Sequence, residues 1–229
     1  MKILTTNVIV FTLLFSGWVL AEREFTSSDG RTLLATIDKA TEQDVTLTRT
    51  SDGKSFTIAL DRLSKNDREF VQAWRTVKEL NTRKARELTL SLGEGRTEVV
   101  NVPEGEILTA DGVLTLVPGE TVHIEFDEEG HPSITHKVKN PQRTVTFKMT
   151  NKDGITMLFR ETRVQKTVAM DCENRGLGSP DFSRTNLHPT EKGLMAGDSW
   201  PGSVWTLRLS NFEVTDRSAQ EVYSERVAR

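Results

Sequence analysis

The stretch Phe56-Thr57-Ile58-Ala59-Leu60-Asp61-Arg62-Leu63-Ser64-Lys65-Asn66-Asp67-Arg68-Glu69-Phe70 decides how this chain is built. Phe56, Ile58 and Leu60 alternate with Thr57 and Ala59, the period of a half-buried strand. Ser64 then stands where a helix N-cap belongs. Asp67, three residues on, completes a short-armed version of the capping box. Phe70, Trp74 and Val77 recur at i, i+4 and i+7, and Val71 widens the stripe. A strand therefore ends and an amphipathic helix begins here. The helix closes a small unit before it and leads into a larger one after it.

Towards the N-terminus the texture is strand, turn, strand. Phe25-Thr26 precedes the Asp29-Gly30 turn, and Leu33, Ala35 and Ile37 alternate with polar neighbours. A second turn at Glu42-Gln43-Asp44 leads to Val45 and Leu47, and Ser51-Asp52-Gly53 has the composition of a hairpin turn. Four or five short strands this close together predict a small closed or nearly closed barrel. Arg31, Arg49 and Lys54 stand beside the turns at one rim. They are the candidate peptide-binding residues of that rim.

Towards the C-terminus the pattern predicts helix over residues 65–87, with a charged helical connector over 76–95. Gly93-Glu94-Gly95 marks a boundary. Period-two runs then follow closely: Val122, Ile124 and Phe126; Ile134, His136 and Val138; Val145, Phe147 and Met149; Ile155, Met157 and Phe159; Trp205, Leu207 and Leu209. They predict an antiparallel, jelly-roll-like β-sandwich over 96–215 and leave 216–229 as a polar tail. Residues 173–202 have no sustained period and read as a long functional loop. Its candidates are Arg175, Asp181, Arg184, His188 and Trp200. Alternation puts Trp205 in the core and leaves Trp200 as the exposed ring.

The 229 residues are 36% hydrophobic and 28% charged, with net charge −3. That is a globular composition without the basic footprint of a nucleic-acid binder. Met1-Lys2, the apolar run Val8 to Phe15 and Val19-Leu20-Ala21 read as a signal peptide over 1–21, with cleavage before Glu22. A secreted or periplasmic location follows, with no membrane span after cleavage. Cys172 is the only cysteine, so no internal disulfide is expected, and its place beside Val168 and Met170 predicts a buried, inert thiol.

No nucleophile elbow, H-E-x-x-H or phosphate-binding loop is present. Ser51 and Lys54 have an S-x-x-K spacing, but on a turn rather than a helix. His131 and His136 flank Pro132 and could meet a metal with Glu125, though His136 among apolar neighbours reads as half-buried and hydrogen-bonded. Asp171 and Glu173 share a strand face without a recognisable catalytic partner. No catalytic residue, cofactor or metal is assigned.

Glu24-Phe25-Thr26-Ser27-Ser28-Asp29-Gly30-Arg31, Val45-Thr46-Leu47, Asp52-Gly53-Lys54 and Leu60-Asp61-Arg62-Leu63-Ser64-Lys65-Asn66-Asp67 resemble the SLA homology domain. The resemblance covers residues 23–74. It implies an SH3-like module over 22–75 and, as in the yeast endocytic adaptor that gives the family its name, recognition of Asn-Pro-Phe-x-Asp peptides. The family's usual first aromatic is Trp; Phe25 stands in its place. The expected function is that of an exported, non-catalytic interaction protein, its SH3-like module binding a protein or peptide of the cell envelope. The alternatives are a carbohydrate-binding sandwich and a hydrolase working from 173–202.

Overall fold

The structure, a computed structural model, describes residues 22–228; the signal peptide expected over 1–21 lies outside them. The described residues form seventeen strands and two α-helices, and every sheet is antiparallel. The fold is mainly β.

The first sheet is a meander of β1 (Arg23–Thr26), β2 (Thr32–Ala40), β3 (Asp44–Arg49) and β4 (Ser55–Ala59), paired in that order. Phe25, Ala35, Ile37, Val45 and Leu47 point inward and are buried. The outer face carries hydroxyls, with Thr46 and Thr57 bonded at 2.9 Å. A 3-10 turn, Leu60–Arg62, swings the chain back, so that Leu63 bridges Ser27 and the Ser64 amide donates to the Thr26 carbonyl at 2.8 Å.

The expected barrel does not close. One bridge is no ladder, and a helix covers what the strands leave open. That helix, α1 (Lys65–Leu80), sets buried Val71 and Trp74 on the sheet, and Phe70 meets Phe25 edge-on at 6.1 Å. Burying side chains of this size is worth about 1.5–3 kcal/mol each.

The expected helix over 65–87 and the connector over 76–95 are corrected here. Asn81 caps α1, and its side chain donates to the Leu108 carbonyl and accepts from the Leu108 amide, at 2.6 and 2.7 Å. Arg83 follows into a buried ion pair with Glu120 at 2.6 Å. These bonds override the helix propensity of the charged run. The chain continues as β5 (Thr82–Arg83), the hairpin β6 (Arg86–Gly93) and β7 (Arg96–Val102), and β8 (Gly105–Glu106), which pairs with β5.

A β-sandwich follows. Its five-stranded sheet runs β11 (Pro132–Thr135), β10 (Thr121–Phe126), β12 (Thr144–Lys152), β13 (Ile155–Thr162), β16 (Met195–Pro201). The four-stranded sheet runs β15 (Ser183–Thr185), β14 (Thr167–Gly176), β17 (Val204–Thr215), β9 (Leu114–Leu116). Leu114, Leu116, Val168, Met170, Leu207 and Leu209 from one sheet meet Val122, Ile124, Val145, Phe147, Met149 and Leu158 from the other in one core.

The stretch 173–202 is not one loop. It contains the end of β14 and the edge strands β15 and β16; the inward residues of β16 are Ala196, Asp198 and Trp200, a mixed set that leaves no apolar period in the sequence. His136 and Val138 lie beyond the end of β11 and are exposed, so they do not share a strand face with Ile134. The polar tail over 216–229 carries α2 (Ala219–Val227), started by a full Ser218–Glu221 capping box and anchored by buried Val222. No described helix is long and apolar enough to cross a membrane.

Candidate functional site

The β1–β2 and β3–β4 turns lie at one end of the meander, as the reading of the rim requires. The candidate cations there are engaged by carboxylates of their own turns. Arg31 pairs with Asp29 at 2.6 Å, and Arg49 and Lys54 approach Asp52 at 3.5 and 3.8 Å. The Arg31 and Ser27 bonds hold the Asp29 carboxyl well below its ordinary range. Leu34, half-exposed on β2, lies at the same end, its carbonyl accepting from the Thr50 amide.

On the sandwich the five candidates separate. Arg175 lies over the Phe182 ring at 4.8 Å and over the Trp205 ring at 4.5 Å. Arg184 is exposed on β15 and donates to the Arg226 carbonyl at 2.9 Å. His188 stacks on Tyr223 of α2, centroids 3.9 Å apart. Asp181 is exposed, its carbonyl accepting from Ser179.

Trp200 is not the free ring. It packs against the sandwich core, and its indole N–H donates to Thr185 at 3.3 Å. Trp205, expected in the core, is likewise only partly buried. A register shift between β14 and β17 at Arg175/Gly176 breaks the alternation on which the core assignment of Trp205 rested.

The cluster that forms on the outer face of the four-stranded sheet was half legible. Arg208 on β17 joins it, its guanidinium 3.8 Å from the Phe182 centroid. Neither Arg175 nor Arg208 has an ion-pair partner among the described residues. The Arg175 Nε is buried without a hydrogen bond. Burial and the neighbouring Arg208 push the Arg175 pKa down. Sequence reading missed Arg208 and assigned Trp205 to the core; Phe182 could be noted only as one residue of the 173–202 stretch, not as a partner of Arg175.

Elsewhere, ionisable groups serve the fold. Asp171 accepts from Arg226 at 2.8 Å and from Asn211 at 2.7 Å, which takes it out of any pairing with Glu173. Arg160, 1% exposed inside the sandwich, bonds Asp198 and the His188 carbonyl. Beside them the Cys172 thiol is pushed up to about 12 by burial and by Asp198. His131 does not meet Glu125 and His136; its ring lies 3.1 Å from Asp127, with Glu129 near. A cleft of about 360 Å³ opens beside that turn, lined by Phe126, Arg143, Val164 and Lys166 among others.

No protein-family model, no curated protein and no solved structure matches the chain.

Proposed function

We propose that this is an exported, non-catalytic binding protein, and that its ligand lies on the outer face of the four-stranded sheet. The observation that carries this reading is Arg175. Its guanidinium lies over the rings of both Phe182 and Trp205, without a carboxylate to neutralise it. Stacking fixes the group and leaves its N–H edge for a partner. Catalysis would need a nucleophile and a base converging on one open position. The groups nearest to that description are committed otherwise: Cys172 is buried and protonated, Asp171 is bound by Arg226, and His188 is stacked on Tyr223. Export rests on residues 1–21.

The test is capture from a cell-envelope extract by immobilised protein of residues 22–229. Capture should fall at least tenfold in the Arg175→Ser/Arg208→Ser variant, with the melting temperature kept. Equal capture by the double variant overturns the placement of the ligand on this face.

The first sheet supports a second reading, peptide binding by the SH3-like module. Leu34 is 49% exposed at the end that also carries Arg31, Arg49 and Lys54. An exposed apolar side chain at an end that also carries three cations suits a short peptide with an acidic end. The expected outcome is tenfold weaker binding of an Asn-Pro-Phe-x-Asp peptide when the three cations become Ser; unaltered binding sinks this reading.

A further inference from the structure

Resting on that binding face, we infer that its ligand is an acidic polysaccharide, held through carboxylate or sulfate groups by Arg175 and Arg208 beside the rings of Phe182 and Trp205.

The register lays out the face. Arg184 on β15, Glu173 on β14, Arg208 on β17 and Thr115 on β9 form one row across the sheet. Arg175 stands two residues along β14 from Glu173, over the aromatic rings. Three guanidiniums thus share the face with one carboxylate in the row, and Glu173 closes no ion pair with either cross-strand arginine. On a chain of net charge −3 this is a local positive spot rather than a general attraction for polyanions. Adjacent like charges are unfavourable in the free protein, and a bound oxyanion relieves them.

The position on the sheet selects the class of ligand. β14 and β17 are the two central strands of β15-β14-β17-β9, and in the row of Glu173 and Arg208 they are flanked by a paired strand on both sides. A peptide cannot add as a strand there, and recognition falls to side chains. Arg175, Arg208, Phe182 and Trp205 lie outside both the cleft lined by Phe126 and Arg143 and the one lined by Val138 and Arg163, on the outer face of the sheet, a placement that suits a polymer lying across it better than an enclosed small molecule. A uronate or sulfated sugar carries an apolar ring face and an oxyanion in one residue, matching a ring beside a guanidinium. A guanidinium takes a carboxylate through two parallel N–H bonds. A glutamate side chain offers the carboxylate alone.

The test is titration of residues 22–229, at low and at physiological salt, with polygalacturonate, chondroitin sulfate, neutral dextran and poly-L-glutamate. The expected result is binding of at least one acidic polysaccharide, weakened by salt, with no binding of dextran. Arg175→Ser/Arg208→Ser should weaken it at least tenfold with the fold intact by circular dichroism. Arg175→Lys should recover little, because an ammonium cannot reproduce the stacked, two-bond geometry. Failure of both acidic polysaccharides to bind overturns the inference, as does binding unchanged in the double variant. Poly-L-glutamate binding as tightly through the same two arginines overturns it in favour of an acidic protein. If the double variant loses envelope capture while no polysaccharide binds, the ligand class fails and the binding face stands. If capture too is unchanged, both fail.

Discussion

The guanidinium of Arg23, at the start of the first strand, lies 3.0 Å from the buried carboxylate of Asp67 in the first turn of α1. The same carboxylate accepts from the Thr26 amide at 2.9 Å and from the Ser64 hydroxyl at 2.7 Å, and Arg23 also lies over the Phe70 ring at 4.1 Å. One acid thus joins the first strand, the helix cap and the helix face. The open meander is held to its covering helix at this point.

Asp67→Ala removes all of those bonds and leaves Arg23 and the Thr26 amide without their acceptor. The expected loss is about 3 kcal/mol, within the range for breaking a hydrogen-bonded, largely buried pair. Arg23→Ala should cost less, because Arg23 keeps 29% of its side chain in solvent. Urea denaturation of the two single variants and the double variant checks this. Additive losses would show that the pair is not coupled.

Cys172 gives a pH prediction. Burial and Asp198 raise its folded pKa from the ordinary 9.0 to about 12. Between those values the folded thiol keeps its proton and the unfolded one has lost it. The unfolded state then binds fewer protons, so stability falls as pH rises through this window, at up to about 1.4 kcal/mol per pH unit. Cys172→Ala should flatten the alkaline slope, even though it leaves a small cavity. Thiol-reactive dye at pH 8 should label the folded protein only at the rate of unfolding. Rapid labelling of folded protein would contradict this account.

The alternating runs of β2 to β4, β10 and β12 could be read directly, because each buries one face and the period survives in the sequence. β13 buries the face opposite to the expected one: Thr156, Leu158 and Arg160 turn inward and Ile155, Met157 and Phe159 outward. In β17 the apolar run holds for Leu207 and Leu209, and the register shift takes Trp205 out of it. The cap at Ser64 was legible for the same reason: Asp67 sits at the spacing the cap requires. The end of α1 was not, since Asn81 stops it through bonds to Leu108, far along the chain. β15 and β16 were hidden by their edge positions. Of the candidate site, Arg175 and Arg184 could be picked out as polar residues in an unusual stretch. Arg208 and Trp205 could not, because strand pairing and a register shift bring them beside Arg175.

Arg160 and Asp198 form a buried ion pair inside the sandwich, with the arginine side chain 1% exposed. Burial pushes the Arg160 pKa below its ordinary value, while Asp198 opposes the shift. Asp198→Ala leaves a buried cation without its counter-charge and should cost about 3–5 kcal/mol. It should also favour the thiolate of Cys172, since one nearby negative charge is gone and Arg160 remains. The two readouts are the denaturation midpoint and the pH dependence of thiol labelling in the folded protein. A variant as stable as the parent, with labelling unchanged, would show that Arg160 finds water or another partner.

The last prediction concerns how the β6–β7 hairpin is seated on the sandwich. Gly202 joins β16 to β17, and its amide donates to the Gly154 carbonyl at 2.7 Å. A Cβ at position 202 would lie 2.3 Å from the Ser91 carbonyl oxygen of β6 and 2.7 Å from the Gly154 carbonyl carbon. Both are backbone atoms, so no rotamer change can relieve the contact. The same junction is tied by Asn151, whose side chain accepts from the Ser91 amide at 2.6 Å and donates to the Gly202 carbonyl at 3.0 Å. Gly202→Ala must therefore push the hairpin away and loosen those bonds, at a cost of about 3 kcal/mol. Gly105→Ala is the control: a Cβ there meets nothing within 4 Å and the residue lacks a positive φ, so its effect should stay within about 0.5 kcal/mol. Hydrogen exchange should locate the Gly202→Ala loss at the Ser91 amide and its neighbours in β6 before it reaches β12. Equal melting of the two alanine variants would show that the hairpin does not rest on this junction.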